Sequence, residues 1–304
     1  MADYGNLGFA LFVITIPLFI VGILGNVLVI RIVHKTPEMQ SVTNYLLANL
    51  AVSDIITIFH TWPSMLLERN VVLKEFDCRW MAFGFTVSVS SFTLMVLAVE
   101  RYHALLKPFK IGLRLKQENV KRAIAIIWIS SVLIFLPNAI MESKWSEVVH
   151  FCFPSSKAYF FASFSIIMYI PLVVFLYCYG SLIKGLYFGN KICASLADRQ
   201  EDRACEKKKL VITFMLATAG FVIGYGPVVT SYTLAVIGAT HGNYSSVVVP
   251  ILEFNYFCSL CLNPVLYAFR SMNFRQGFKR TIFCRDSQPQ NEMSRQPCRR
   301  NTIS

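Results

Sequence analysis

Long uncharged stretches alternate with short charged connections along this chain. Each stretch is long enough for a helix to cross the hydrocarbon core of a membrane, about 30 Å thick, because an α-helix rises about 1.5 Å per residue. The pattern predicts an all-α membrane protein, a bundle of seven transmembrane helices. The predicted spans are residues 9–31, 44–67, 79–102, 122–142, 158–183, 209–237 and 247–270.

The segments outside the predicted bundle are short. We expect residues 1–8 to form an extracellular N-terminus and the first apolar run to be retained as a helix, because no basic residue precedes it as in a signal peptide. Residues 273–284 place Phe and Ile beside Arg and Lys at helical spacing. This spacing predicts a short amphipathic eighth helix on the membrane surface. Residues 285–304 are predicted to be a disordered cytoplasmic tail.

Composition and charge fit a membrane protein and set its orientation. Hydrophobic residues make up 55% of the 304 residues, charged residues only 15%, and the net charge is +12. Most of the 29 Lys and Arg lie in connections on one side of the bundle, which marks that side as cytoplasmic. We therefore expect a multi-pass protein of the plasma membrane with its N-terminus outside. The basic excess reflects this topology and anionic lipid, so no nucleic-acid partner is expected.

A polar cluster is expected in the middle of the bundle. Asp54 lies within the second span, where an unpaired carboxylate is costly. Asn26, Ser90, Ser259 and Asn263 lie at similar depth on other predicted helices. We interpret these residues as a functional cluster; the alternative is a water-filled cluster that only supports packing.

Charge and proline mark the ends and bends of three spans. Arg101, within Glu100-Arg101-Tyr102, lies at the end of the third span. A guanidinium at the membrane boundary is costly, so it marks either a functional site or a helix end stopped by charge. Pro227 and Pro264 each remove a backbone donor and predict bends in the sixth and seventh helices.

Taken in order along the seven spans, these motifs resemble those of the rhodopsin-like (class A) G-protein-coupled receptors. The resemblance runs from the first helix to the amphipathic helix; any single motif is weak, but the ordered set is specific. The motifs are Gly25-Asn26, Asn49-Leu50-Ala51-Val52-Ser53-Asp54, Glu100-Arg101-Tyr102, Trp128, Pro171 with Tyr179, Phe221 with Pro227, and Asn263-Pro264-Val265-Leu266-Tyr267 followed by Phe274.

The resemblance implies a receptor that catalyses nothing itself. Ligand binding shifts an inactive–active equilibrium and opens the cytoplasmic face to a heterotrimeric G protein. In the family, Arg101 leaves a restraint by Glu100 on activation. The residues expected to form this coupling switch are Glu100, Arg101, Tyr102, Tyr179, Phe221, Tyr225, Pro227, Asn263, Pro264 and Tyr267.

The resemblance also implies an ion site and a disulfide. No cofactor is required, but sodium is expected as an allosteric modulator, and its binding is weaker or absent if Ser259 is a poor substitute for the Asn common in the family. A disulfide between Cys78 and Cys152 is expected to tie an outer loop over the bundle. The expected sodium-site residues are Asp54, Ser90, Ser259 and Asn263.

The sixth helix departs from the family pattern at its bend. Tyr225 stands where many relatives have Trp, two residues before Pro227. We expect an aromatic lever to survive there. The flanking Gly224 and Gly226 are expected to loosen the bend and raise basal activity.

Other departures concern the third helix and its restraint. Ser91 replaces a larger apolar residue that usually packs against Phe221, and Cys78 lies two residues closer to Arg101 than is usual. Glu206 is followed by three lysines, which argues against an ionic lock between the sixth helix and Arg101.

The outer end of the bundle indicates a ligand class. Family members that bind amines carry an Asp where this chain has Phe83, and light-sensing members carry a Lys where it has Phe257. Aromatic residues and Glu253 suggest the peptide-binding branch, with Glu253 anchoring a ligand amine or guanidinium. The alternatives are that the aromatics only pack, and that Glu253 reaches outer water or pairs with His60 or an outer Lys or Arg. The expected ligand-binding residues are His60, Trp62, Phe83, Tyr232, Glu253, Tyr256 and Phe257.

The same residues bear on other function classes and on the expected partners. A receptor of this fold for a non-peptide small molecule stays open. A secondary transporter or channel is the other-class alternative, but no internal repeat supports it, and no hydrolase motif is present. Expected partners are the ligand, the G protein, the lipid bilayer, arrestin and receptor kinases. Asn243 begins a glycosylation sequon and Cys284 is a candidate for palmitoylation.

Overall fold

Helices account for nearly all of the computed structural model. It describes residues 2–67, 83–106, 114–140, 143–146, 151–154, 157–187, 201–239 and 248–282. The helices in these ranges are α1 (Ala2–Lys35), α2 (Val42–Leu67), α3 (Phe83–Leu106), α4 (Val120–Ile140), α5 (Lys157–Phe164, a π-helical turn Ser165–Tyr169, and Ile170–Tyr187), α6 (Glu201–Val236), α7 (Val249–Arg270) and α8 (Met272–Ile282). The predicted all-α helix bundle is confirmed.

Five of the described helices are long and apolar enough, by length and composition alone, to cross a membrane. The stretches are Ala10–Lys35, Val42–Thr61, Gln117–Pro137, Lys157–Gly185 and Val211–Ser231. The other two long helices, α3 and α7, span 24 and 22 residues. The lower apolarity of α3 has a simple cause, because its hydroxyl side chains are buried in the bundle and do not face lipid. They are Thr86, Ser88, Ser90, Ser91 and Thr93.

The described helix ends differ from the expected spans in several places. Residues 2–8, expected as a separate N-terminal segment, are helical and continue into α1. α5 extends to Tyr187 and α6 begins at Glu201, so helical extensions form much of the connection between them. A short antiparallel hairpin follows α4, with strands β1 (Ser143–Ser146) and β2 (Phe151–Pro154). The sequence pattern gave no indication of this hairpin.

Each long helix packs against at least two others. α1 packs on α2 and α7, α3 packs on α2, α4 and α5, and α6 packs on α7. Apolar side chains fill the interior, but many also cover the outside: Leu176 is 68% exposed and Phe269 is 80% exposed. Apolar surface of this extent fits contact with lipid, which is as apolar as the core.

Buried polar side chains join three helices near the middle of the bundle. The Trp128 indole on α4 donates to Asn49 Oδ1 on α2 at 2.8 Å. Asn49 Nδ2 in turn donates to the Thr93 hydroxyl on α3 at 2.8 Å. Both polar ends of the Asn49 amide are therefore satisfied without water, which fixes the depth of α2, α3 and α4 relative to one another.

The short helix α8 closes one end of the bundle. Its Phe274 is buried and lies 5.5 Å from the ring centre of Tyr267 on α7. A side chain at Gly277 would meet Ile32 of α1 at 2.7 Å, so α8 also approaches α1 closely. Lys279 and Arg280 are exposed on the opposite side, as expected for an amphipathic helix.

Candidate functional site

Arg101 lines a cavity of about 600 Å³ at the end of the bundle that carries α8. Its guanidinium carbon lies 5.0 Å from the centre of the Phe214 ring on α6, a cation–π contact. Arg101 Nε is buried and has no hydrogen-bond partner among the described residues. A buried donor without a partner is costly, so Arg101 is ready to bind an acceptor that enters this cavity.

Through its carboxylate, Glu100 contacts residues that precede α4 in the chain. Its buried carboxylate accepts a hydrogen bond from the Leu115 amide at 3.1 Å and lies 3.8 Å from Arg114 Nε. No ion pair between Glu100 and Arg101 occurs in the described ranges. Glu100 thus contacts the segment that leads into α4, and its restraint of Arg101 stays a prediction.

Three tyrosines surround the Arg101 end of the bundle. The Tyr179 hydroxyl on α5 lies 2.9 Å from the Thr218 hydroxyl on α6 and so joins these two helices. Tyr267 on α7 is buried against Phe274 of α8. The Tyr102 hydroxyl lies 3.3 Å from a hydroxyl on α5. Tyr267 also lines the cavity that Arg101 lines.

The structure brings the expected polar cluster together. Asp54 is only 2% exposed, and Asn263 Nδ2 on α7 donates to its Oδ2 at 2.9 Å. Ser90 on α3 is also a hydrogen-bond partner of the carboxylate, and its hydroxyl lies 2.6 Å from that of Ser53. Ser259 donates to the Tyr256 carbonyl at 2.7 Å. A hydroxyl that donates in this way still has lone pairs to offer.

The chemistry and size of this cluster suit one small, hard cation or one water molecule. Its donors are the oxygens of a carboxylate and two serines, the ligands that such cations prefer. The enclosed space that these residues line has a volume of about 10 Å³, close to the minimum for one water molecule. The residues therefore fit sodium, with room for no larger hydrated species.

An aromatic column crosses from α6 to α7 above this cluster. Phe221 and Tyr225 stack with ring centres 5.6 Å apart and an interplanar angle of 18°. Tyr225 then meets Tyr256 of α7 at 5.4 Å. Tyr225 is 3% exposed, so the residue that replaces the usual Trp is fully part of the core.

The expected ligand-binding residues fall into three groups. His60 on α2 and Glu253 on α7 are half-buried. Tyr256 and Phe257 are buried in a hydrophobic cluster with Tyr225 and Leu260, which explains them as packing residues. The remaining three, Trp62, Phe83 and Tyr232, lie on α2, α3 and α6, but their side chains are outside the described part of the structure.

Several other predictions fall outside the described residues. Cys152 lies on β2 opposite Trp145, but Cys78 lies outside the described ranges, so their disulfide remains a prediction. Asn243, Cys284, Glu206 as a side chain, and the tail 285–304 are likewise not described.

Sequence reasoning missed the polar partners supplied by other helices. Thr218 and Phe214 on α6 contact Tyr179 and Arg101, but a single Thr or Phe in an apolar run carries no signal of such a role. Asn255 is different. An amide in an apolar helix needs a partner, so the presence of Asn255 on α7 could have been noted.

The bend of α6 needs one glycine for close packing. A Cβ atom at Gly224 would lie 2.3 Å from Ser259 Cβ on α7, whereas one at Gly226 would lie 3.6 Å from its nearest neighbour, Met168 Cε. Gly224 therefore permits the approach of α6 to α7. The expected looser bend and higher basal activity stay predictions.

Comparison with known proteins gives a consistent result. The family described as 7 transmembrane receptor (rhodopsin family) matches residues 25–267. Similar proteins include mouse neuropeptide FF receptor 2 (27% identical; 86% of this chain, 70% of the relative). They also include mouse galanin receptor type 1 (26% identical; 94% and 85%) and rat somatostatin receptor type 5 (29% identical; 87% and 75%).

Replacing the two glycines separately tests the packing at the bend. We expect Gly224→Ala to destabilise the protein by about 1–3 kcal/mol, because the methyl group overpacks the α6–α7 contact. Gly226→Ala is the matched control and should be neutral or stabilising by up to about 1 kcal/mol, since Ala favours helix. The measurement is the thermal midpoint of the purified protein in detergent. Equal midpoints for both variants would contradict the close-packing role of Gly224.

Proposed function

Since this chain belongs to the rhodopsin family of seven-transmembrane, G-protein-coupled receptors, we propose that its activating ligand is an extracellular peptide. The family consists of signalling receptors and not enzymes. Relatives named as receptors for neuropeptide FF, galanin and somatostatin support a peptide ligand. The same matches do not favour a transporter or channel.

The ligand contacts proposed here lie at the end of the bundle opposite Arg101. The half-buried Glu253 on α7 offers a carboxylate to a peptide amine or guanidinium, a charge-assisted pair of the strong kind. His60 on α2 is the second half-buried polar candidate. Tyr256 and Phe257 support this region from below through packing.

At the other end, the single observation that carries the coupling proposal is the cavity around Arg101. Arg101, Phe214 and Tyr267 are among the residues that line it. The Nε atom of Arg101 has no hydrogen-bond partner among the described residues. A G-protein segment with carbonyl or carboxylate acceptors would satisfy the guanidinium. Because Tyr267 packs on Phe274 and Arg101 packs on Phe214, we assign the observed arrangement to the resting state.

The proposal includes the location and orientation of the receptor in the membrane. The receptor is a multi-pass protein of the plasma membrane. We infer an outer N-terminus and a cytoplasmic C-terminus from the distribution of Lys and Arg. Arrestin and receptor kinases are proposed partners of the Ser- and Thr-containing tail. The Cys78–Cys152 disulfide, glycosylation at Asn243 and palmitoylation at Cys284 remain predictions.

We also propose sodium as an allosteric modulator held at Asp54. Asp54, Ser90 and Ser259 would supply its oxygen ligands, and Asn263 would position the carboxylate through the bond at 2.9 Å. A bound cation would neutralise the buried charge and hold α2, α3 and α7 together. Because these contacts belong to the observed arrangement, sodium would favour the resting state.

Peptide-dependent signalling tests the proposed function. We expect cells that express the chain to activate a G protein in response to members of a library of amidated neuropeptide-like peptides. Arg101→Ala should abolish the response, because the coupling cavity loses its cation, whereas Lys121→Ala, an exposed cation on α4, should leave it unchanged. Surface expression is measured for each variant. A peptide response that survives in Arg101→Ala would contradict the coupling role.

Silence toward all peptides at normal surface expression, with a response to a non-peptide ligand, would contradict the peptide proposal alone. Ligand-driven ion flux without G-protein activation would contradict the receptor mechanism itself.

Cation exchange tests the sodium proposal. We expect ligand-independent signalling in membranes to fall when sodium replaces N-methylglucamine at constant ionic strength, because sodium favours the resting state. Asp54→Asn should remove the difference, since a neutral amide binds sodium poorly. Ser131→Ala is the control, because its buried hydroxyl donates within α4, to the Ile127 carbonyl, and does not line the Asp54 cluster. A sodium effect of the same size in Asp54→Asn would show that the ion acts elsewhere.

A further inference from the structure

Prolines in α5, α6 and α7 leave three backbone carbonyls without their usual amide donors. In an α-helix the amide of residue i donates to the carbonyl of residue i−4, and proline has no amide hydrogen. The prolines are Pro171 in α5, Pro227 in α6 and Pro264 in α7. The carbonyls that lose a donor are those of Ile167, Ile223 and Leu260.

A side chain of α7 satisfies the carbonyl at the bend of α6. Asn255 Nδ2 donates to the Ile223 carbonyl oxygen at 2.9 Å. One turn further along α7, Ser259 packs against the backbone at Gly224. The hydrogen bond to Ile223 and the close approach at Gly224 therefore both join α7 to α6 within the turn that precedes Pro227.

A side chain of α3 does the same for α5. The Ser91 hydroxyl donates to the Ile167 carbonyl oxygen at 2.6 Å, and Ser91 is fully buried. The carbonyl lies in the π-helical turn Ser165–Tyr169 that precedes Pro171. A larger apolar residue at position 91 could not make this bond, so the departure from the family pattern has a specific physical consequence.

The third carbonyl is held less tightly. Asn26 Nδ2 reaches the Leu260 oxygen at 3.4 Å, but it is 2.9 Å from the Gly22 oxygen of its own helix. Its main bond is therefore local, and we do not group it with the other two.

We propose that Asn255 and Ser91 are positioning residues that hold the bends of α6 and α5 in the resting arrangement. This inference rests on the proposed function as a ligand-activated receptor. Inside a membrane no water replaces a lost backbone partner. Rotation or outward movement of α6 about Pro227 separates Ile223 from Asn255, so the bond favours the arrangement in which it forms. We call these two hydrogen bonds, from Asn255 to Ile223 and from Ser91 to Ile167, the ties. They would hold the resting arrangement in a chain where no ionic lock between Glu206 and Arg101 is expected.

Ligand-independent G-protein activation gives the first readout. We expect Asn255→Leu, which keeps the side-chain size but cannot donate, to raise it about fivefold, the change in the active-to-resting ratio that one net hydrogen bond supports. Ser91→Ala should also raise it. Asn255→Gln, which keeps an amide donor, should return activity toward wild type.

Matched controls remove hydrogen bonds that do not cross between helices. Thr230 in α6 donates to the Gly226 carbonyl at 2.9 Å, and Ser88 in α3 donates to the Phe85 carbonyl at 2.7 Å. Thr230→Val and Ser88→Ala should leave ligand-independent activation unchanged. Equal activation in wild type, Asn255→Leu and Ser91→Ala at equal surface expression overturns the proposal.

A fluorescent label on α6 tests the ties without any G protein. Position 205 on α6, a cysteine, is the labelling site, with Cys193, Cys258, Cys284 and Cys298 replaced by Ser. We expect Asn255→Leu to shift the emission of the label in purified protein. In a Pro227→Ala background the Ile223 carbonyl regains an amide partner, so Asn255→Leu should have no further effect.

The label also separates this inference from the proposed function. A shift that is equally large with and without Pro227 overturns the role of the released carbonyl, as does the absence of any shift. If no form of the chain activates a G protein while the shift occurs as expected, the proposed function fails but the ties stand.

Discussion

A backbone carbonyl without a donor is the constraint on which this bundle depends. In hydrocarbon no water is present to donate a hydrogen bond to such a group. Each helix must therefore keep its regular hydrogen bonds or accept one from a side chain of a neighbouring helix. Pro171 and Pro227 break the regular pattern in α5 and α6, and Ser91 and Asn255 supply the missing donors from α3 and α7. The bends and the contacts between helices are thus parts of one solution.

The same constraint explains how the functional residues are positioned. The Asn49 amide satisfies Trp128 and Thr93 at once, which sets the depth of α2 and α3. Asp54 and Arg101 lie further along these helices at two different depths. Asp54 is enclosed and bonded to Asn263, whereas Arg101 opens onto a cavity with an unsatisfied nitrogen. The Asp54 carboxyl group is thereby enclosed in the bundle, whereas the Arg101 guanidinium lines a cavity in which a partner can bind it.

The sequence predicted the helix bundle, the amphipathic α8 and the pairing of Asp54 with Asn263, because apolar length and buried charge leave few alternatives. It did not predict the contacts of Glu100 with Arg114 and Leu115, since the position of that segment beside α3 does not follow from helical periodicity. Nor did it predict the partners of the released carbonyls. A proline in a helix shows which carbonyl loses its amide donor. Which side chain of another helix replaces that donor depends on how the helices are rotated, and the spacing of apolar residues does not determine this. Nor did the sequence predict the close packing at Gly224, because its neighbour Ser259 lies on another helix.

The central claim is that α6 moves about Pro227 to open the cavity around Arg101. Its most direct test is the distance between spin labels at Lys121 on α4 and Lys209 on α6, measured by pulsed electron paramagnetic resonance on the purified receptor in a cysteine-depleted background. Addition of a purified, nucleotide-free heterotrimeric G protein should shift the distribution to longer distances. A second pair on the opposite side of Pro227, at Thr230 and Ile251, should stay unchanged. Binding of the G protein with no change in the first pair would contradict the account.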